Sequence, residues 1–342
     1  MTKERVIYLD IIKISAILLV IFNHSHWGIN DEGVFWNFLH HFIYGFCKCA
    51  VPLFIMVTGS LMLKKERSYK EMFTKRIFRI IPPIIVVFLL DAIINDGSAK
   101  DFFLSIFFTG YSNVYWLWYL YLLLGFYLLT PFLYKMISRM NDKDYIIFIL
   151  VFIIGGGIIE QIPYLTNLFL GHSVSVQNGL SSGMVSVAIG FYVAGYYLDN
   201  LKISSKVFKI STVVFLINLV INTLLLRYTV MNDLSYDSIL HYDSFLVVIM
   251  SICLFIMFKY LFSKPLKHKK VESLIVNMSL CVFGIYLFHP YFLSYVANFD
   301  FMQRLLDYNS FIGIIVDDVI VFVVLLVIVY GLRKIPYVKK FL

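Results

Sequence analysis

Three ionisable side chains near the start of the sequence are spaced so that they share one helix face. Asp10, Lys13 and His24 lie in an otherwise apolar stretch, and Lys13 precedes His24 by eleven positions. At about 100° per residue, eleven positions return to within about 20° of the same direction, about 16 Å further along the axis. Asp10 is three residues before Lys13, within pairing distance on a helix. Histidine is the side chain best suited to proton transfer near neutral pH, so His24 is the first candidate for chemistry.

Further polar side chains lie in other apolar stretches of the sequence. His41, Tyr44 and Lys48 are spaced three and four residues apart and therefore share one helix face, with His40 beside them, and His289 lies in a later stretch. Carboxylates occur in similar places, namely Asp91, Glu160, Asp317 and Asp318. A single histidine in such a place is most often a hydrogen-bonded packing residue. Several histidines at a similar depth on different helices favour a polar chamber instead.

A basic segment ends in a pair of arginines at the start of an apolar stretch. The segment runs from Lys64 to Arg79 and closes with Lys75-Arg76-x-x-Arg79. Guanidinium groups form directed hydrogen bonds to phosphates, so Arg76 and Arg79 on one helix face predict a site for a phosphate-bearing ligand. The alternative is ordinary positive charge beside a membrane helix, which explains the lysines of the segment equally well.

The elements that must position these groups are membrane-spanning helices. Of the 342 residues, 60% are hydrophobic and 15% are charged, whereas a soluble domain carries about 25% charged residues. Spans of about 20 apolar residues cross a bilayer as helices. The sequence therefore predicts an all-α integral membrane bundle of about ten helices, in a single domain over residues 1–342 with no appended extracytoplasmic domain. The predicted spans are 6–27, 36–63, 76–95, 115–137, 144–162, 181–199, 207–227, 242–263, 274–297 and 311–333, and the segment 101–112 is too short to span.

The distribution of charge predicts the orientation of the bundle. Alternating the spans from a cytoplasmic N-terminus places most of the 29 Lys and Arg residues on the cytoplasmic side and leaves the C-terminus there too. The net charge of +8 is then explained by topology, and we expect no nucleic-acid partner. The four cysteines show no CxxC spacing, and we expect no metal site.

Five motifs follow one another along the whole chain. They are Tyr8-Leu9-Asp10-x-x-Lys13 followed by Asn23-His24; Val51-Pro-Leu-Phe-Ile-Met-Val-Thr-Gly59; Lys75-Arg76-Ile-Phe-Arg79-Ile-Ile-Pro82; Trp116-Leu-Trp118-Tyr119-Leu120 followed by Leu129-Thr-Pro131; and Phe283-Gly284-Ile-Tyr286-Leu-Phe-His289-Pro290. In this order they resemble the motifs of the acyltransferase-3 family, multi-span membrane acyltransferases found largely in bacteria. The resemblance is specific because the order is kept from end to end.

This resemblance implies transfer of an acetyl or succinyl group from cytoplasmic acyl-CoA, typically acetyl-CoA, to a hydroxyl of a cell-surface or lipid-linked glycan. The essential histidine of the family maps to His24, and its Arg-x-x-Arg maps to Arg76 and Arg79. The arginine that precedes the histidine by eleven positions maps to Lys13. Lysine in place of arginine at this position keeps the positive charge but lacks the forked geometry of a guanidinium group.

We therefore expect a multi-pass protein of the bacterial plasma membrane. Its expected partners are the lipid bilayer, acyl-CoA and the glycan or lipid-linked sugar acceptor. The sequence is compatible with a homo-oligomer. His24 is the predicted general base or acyl carrier, grouped with Lys13 and Asp10 as a polar path. The predicted CoA-binding residues are Lys75, Arg76 and Arg79, and the predicted substrate-lining residues are His41, Lys48, Trp118, Tyr119 and His289. A membrane transporter of a small solute or acyl donor, without its own transferase chemistry, is the alternative function.

Overall fold

The protein, described by a computed structural model, is a bundle of helices. The structure describes residues 5–25, 33–174, 176, 186–232 and 241–342, and these contain no strand. Nine helices in this described part are long and apolar enough to cross a membrane, which confirms the predicted all-α multi-span fold. In chain order the helices are α1 (Ile7–Ser25), α2 (Val34–Met62), α3 (Tyr69–Ile94), α4 (Ala99–Ser105), α5 (Tyr115–Ile137), α6 (Asp142–Leu170), α7 (Val187–Asn200), α8 (Ser205–Met231), α9 (Phe245–Phe262), α10 (Lys269–Ala297), α11 (Asp300–Tyr308), α12 (Ser310–Leu332) and α13 (Pro336–Lys339).

The predicted span at 181–199 coincides with α7, which has 14 residues in the structure. Positions 181–185 of that span lie outside the described residues. The segment 101–112 contains the end of α4, a helix of seven residues, in agreement with the prediction that it is too short to span. The predicted positions of the other nine spans coincide with the nine long helices.

Two helices extend further than the sequence predicted. Helix α3 begins at Tyr69, where the Ser68 side chain accepts from the Glu71 N–H and caps the helix. The prediction that the arginine pair starts this span is therefore wrong, because Arg76 and Arg79 lie about two turns inside α3. Helix α6 continues past 162 and ends at Leu170; the next residue, Gly171, has a φ of 71°, a left-handed conformation that glycine adopts without strain.

Helix α2 is interrupted in its middle at Lys48 and Cys49. The two residues form a turn between helical segments Val34–Cys47 and Ala50–Met62. Irregular backbone at membrane depth is stable only where it is buried in protein or lines a cavity. The interruption must therefore be buried in protein or border an internal cavity.

Helices α2 and α7 pack with their backbones in direct contact. A Cβ atom added at Gly59 would collide with the backbone carbonyl of Tyr192, and one added at Gly195 would collide with that of Met56. The Ser60 hydroxyl donates to the Gly195 carbonyl at 2.8 Å across the same contact. Small residues of this kind allow close approach of membrane helices, and here they fix the position of the second half of α2.

Substitution of Gly195 by alanine is expected to destabilise the bundle strongly. Overpacking a core typically costs about 1–3 kcal/mol, and a colliding backbone atom cannot rotate away as a side chain can. We expect Gly195→Ala to lower the midpoint of thermal unfolding by about 5 °C or more, measured by intrinsic fluorescence of the purified protein. Gly125→Ala is the matched control, because a Cβ atom there meets nothing within 4 Å. Equal midpoints for Gly195→Ala and the wild type would refute the tight α2–α7 contact.

Candidate active site

His24 lies in the last turn of α1, beside a cavity of ≈ 240 Å³. The Tyr115 hydroxyl is 3.5 Å from Nδ1 of His24, and the centroid of the His289 ring is 5.0 Å from that of His24. We call this space the histidine cavity. The residues that line it come from α1, both halves of α2, α5, α10 and the segment before α9, and include Asn23, His24, Lys48, Val51, Phe54, Tyr115, Trp118, Tyr119, Tyr242 and Tyr286.

His289 is fully buried and has a defined tautomer. Its Nδ1 lies 2.8 Å from the Tyr286 carbonyl oxygen. Because a carbonyl can only accept, Nδ1 carries the proton and Nε2 is left as an acceptor. Nε2 has no hydrogen-bond partner among the described residues. His289 thus brings a hydrogen-bond acceptor to the neighbourhood of His24.

Lys48 brings a positive charge to the histidine cavity. Its ammonium donates to Asn23 Oδ1 at 2.7 Å and to the Tyr44 hydroxyl at 2.8 Å, and it lies 4.0 Å from the centre of the Tyr44 ring. The interruption of α2 begins at Lys48, which lines this cavity. A fixed cation in a water-poor cavity can stabilise negative charge that develops on a reacting oxygen.

His41 has a different environment. It is buried, its ring centroid is 5.6 Å from that of His40, and it is not among the residues that line the histidine cavity in the described structure. The structure therefore brings together four of the predicted substrate-lining residues, namely Lys48, Trp118, Tyr119 and His289, at or next to His24. It does not bring His41 to them.

The aromatic wall of the histidine cavity contains a stacked pair. Trp118 and Tyr242 lie with ring centroids 5.4 Å apart and an interplanar angle of 21°. The Tyr242 hydroxyl can donate and accept hydrogen bonds at neutral pH. Flat aromatic faces with a polar tip provide apolar contact and directed hydrogen bonding in one surface.

A second cavity, of ≈ 300 Å³, lies toward the end of the bundle that holds the start of α1. We call it the arginine cavity, because Lys13, Arg76, Arg79 and Arg333 line it. No Asp or Glu side chain is among its lining residues in the described chain, and the Nε of Arg76 is buried without a hydrogen-bond partner there. Arg333 donates a hydrogen bond to the main-chain oxygen of Leu342, which also lines the cavity. The excess of cations over acidic side chains makes this cavity suitable for an anionic ligand.

Arg333 is a site residue that sequence reasoning missed, while Lys75 lies outside the site. Arg333 follows α12 directly and reads in the sequence as one more basic residue at the end of a span. Only the packing of α12 beside α10 brings it to Arg76 and Arg79. Lys75 is exposed and does not line the arginine cavity, since it points about 100° away from Arg76 around the helix.

Asp10 is fully engaged by neighbouring side chains. It is bound by the fork of Arg5 at 2.6 and 3.0 Å, pairs with Lys13 at 2.7 Å and accepts from the Ser279 hydroxyl at 2.6 Å. A carboxylate with these partners has little capacity left for proton transfer. Its position indicates that Asp10 orients Lys13 at the arginine cavity and joins α1 to α10.

Comparison with known protein families identifies a match over almost the whole chain. A sequence model of the acyltransferase-3 family, described as an acyltransferase domain, matches residues 6–334. No curated protein and no solved structure is significantly similar to the chain. The matched range includes His24 and every basic residue that lines the arginine cavity.

Proposed function

The chain belongs to the acyltransferase-3 family of membrane acyltransferases, and we propose that it moves an acetyl or succinyl group from acyl-CoA to a hydroxyl of a cell-surface or lipid-linked glycan. The observation that supports this most is the contact between the two cavities. A cation-rich cavity suited to a phosphate-bearing donor adjoins a cavity that holds a histidine suited to proton transfer.

The donor would bind through its phosphates. Arg76, Arg79 and Arg333 offer guanidinium groups that match phosphate oxygens, and Lys13, oriented by Asp10, adds a fourth cation deeper in the cavity. The buried Arg76 Nε has no acceptor among the described residues, and a phosphate oxygen would supply one. With the phosphates held here, the pantetheine arm extends toward His24.

The transfer step uses His24 in one of two ways. As a general base, its imidazole takes the proton of the acceptor hydroxyl while that oxygen attacks the thioester carbonyl. The carbon–sulfur bond then breaks, and the CoA sulfur takes the proton back from the imidazolium. As a carrier, the imidazole attacks the thioester carbonyl, the carbon–sulfur bond breaks, and CoA leaves as the thiol after its sulfur takes the proton of the acylated imidazolium. The acceptor hydroxyl then attacks the acyl-imidazole, the carbon–nitrogen bond breaks, and the imidazole takes the hydroxyl proton. In both routes Lys48 stabilises the charge on the carbonyl oxygen, and His289 accepts a hydrogen bond at Nε2.

The proposed orientation places the arginine cavity at the cytoplasmic face, where acyl-CoA is available. We expect reporter proteins fused after Lys209 and Lys270 to remain cytoplasmic, because basic loops stay on that side. Reporters fused near Gly171 and Arg304 are expected to be exported. Reporter activity in intact bacterial cells measures both classes, and an exported reporter at Lys270 would refute the orientation.

The proposed activity can be tested in detergent, where no sealed compartment exists. The purified protein is incubated with radiolabelled acetyl-CoA, with and without extracted bacterial membrane lipids as a source of acceptor. Label transferred to a lipid-linked or glycan product supports the proposal and identifies the acceptor. Stable acetyl-CoA in detergent, together with solute uptake by the protein in proteoliposomes, would favour the transporter alternative.

A further inference from the structure

Three aromatic side chains stand between the arginine cavity and the histidine cavity. Phe54, Tyr119 and Tyr286 line both spaces, and no other described residue does so. They come from three helices, α2, α5 and α10 respectively. We call these three residues the aromatic partition.

The partition is a contiguous set of rings. The ring centroid of Tyr119 is 6.0 Å from that of Phe54 and 5.8 Å from that of Tyr286. The Tyr286 hydroxyl donates to the Trp116 carbonyl, which fixes this buried ring. Phe54 has no polar group and is held by packing alone, so its ring is the member that can be removed without leaving an unsatisfied hydrogen bond.

Any group that passes from the bound phosphates to His24 must pass this partition. The acyl chain beyond the thioester carbon then extends into the histidine cavity, whose ≈ 240 Å³ must also admit the acceptor hydroxyl. A short acyl group leaves room for the acceptor, whereas a long chain must press against the three rings. Overlap of this kind is costly because packed aromatic side chains yield little.

We infer that the aromatic partition determines the acyl chain length that the protein accepts, with Phe54 as the main size-limiting residue. This inference rests on the proposed function, since it takes acyl-CoA as the ligand of the arginine cavity. Removal of the Phe54 ring joins the two cavities and provides apolar space for additional methylene groups.

Binding of stable thioether analogues tests the inference without an acceptor. The affinities of CoA, S-ethyl-CoA and S-hexyl-CoA are measured by calorimetry on the full chain in detergent. In the wild type we expect the hexyl analogue to bind no more tightly than the ethyl analogue. In Phe54→Ala we expect the hexyl-to-ethyl affinity ratio to rise about tenfold or more, because the added methylenes become buried. The ratio compares two analogues within one protein, so a change in the affinity for the shared CoA portion cancels.

Phe46→Ala is the matched control, since Phe46 lies on the same helix, packs against Phe215 with ring centroids 5.7 Å apart and lines neither cavity. An equal ratio in Phe54→Ala and the wild type, or an equal rise in Phe46→Ala, would overturn the inference. Should Phe54→Ala fail to bind CoA or to run as a single species, Phe54→Leu replaces it, with a smaller rise expected. If the wild type does not bind CoA, the proposed function is overturned together with this inference. If the wild type binds CoA and the hexyl-to-ethyl affinity ratio is the same in Phe54→Ala, only the role of the aromatic partition is overturned.

Discussion

His24→Ala is expected to reduce acyl transfer by about 10²–10⁴-fold, the usual contribution of a general base. His24 adjoins the cavity where donor and acceptor meet and is close to both Tyr115 and His289. It does not line the arginine cavity, so the affinity for CoA should remain that of the wild type. Transfer of label from radiolabelled acetyl-CoA gives the activity, and calorimetry with CoA confirms that the protein is folded.

Two further variants separate catalysis from packing. His24→Asn retains a hydrogen-bonding side chain but cannot act as a base near neutral pH, so it should be as inactive as His24→Ala. His172→Ala changes an exposed histidine outside both cavities and should keep full activity. Substantial turnover by His24→Asn would contradict the catalytic role of His24.

Mass spectrometry of the wild type, incubated with donor alone, distinguishes the general-base route from the carrier route, because only the carrier route leaves an acyl group on His24.

The double variant Arg76→Ala, Arg79→Ala is expected to weaken CoA binding by roughly 100-fold or more. Hydrogen bonds to charged groups contribute about 1.5–3 kcal/mol each, and both guanidinium groups line a cavity that has no Asp or Glu side chain among its described lining residues. Calorimetry with CoA measures the change. Expression and the midpoint of thermal unfolding should stay near those of the wild type, because neither arginine forms an ion pair with a described residue.

Lys75→Ala and Arg333→Ala distinguish the linear motif from the folded site. Lys75 belongs to the basic motif but is exposed away from the cavity, so its removal should leave CoA affinity unchanged. Arg333 is more than 250 positions away in the sequence and lines the cavity, so its removal should weaken binding by roughly tenfold. If the Arg76→Ala, Arg79→Ala double variant binds CoA as tightly as the wild type, these two arginines do not bind the donor and act only as positive charge that sets the membrane topology.

Helical periodicity predicts relations within one helix well. The pairing of Asp10 with Lys13 and the contact of Tyr44 with Lys48 follow from spacings of three and four residues, and both are present. The spans follow from hydropathy, because the bilayer requires about 20 apolar residues regardless of what the helix packs against.

Relations between helices depend on packing that one sequence does not encode in a readable form. The closeness of His24 and His289, the arrival of Arg333 at the arginine cavity and the aromatic partition each need the positions of two or more helices. His41 was expected beside Lys48 on one continuous face. The structure leaves His41 buried beside His40, seven positions and about 10 Å along the helix from Lys48, and outside the lining of the histidine cavity.

The surroundings of Asp10 have a consequence for biogenesis. A lone carboxylate at the centre of a span costs about 2.5–3.5 kcal/mol on insertion, but Arg5 and Lys13 bind Asp10 from the same segment. The first helix can therefore neutralise its own charge as it leaves the translocon, long before Ser279 of α10 has been synthesised. Helix α12 differs, because Asp317 and Asp318 have no basic residue within its 23 positions. Its insertion should depend on helices already assembled in the bilayer, so truncation of the early helices would impair the membrane integration of the last one.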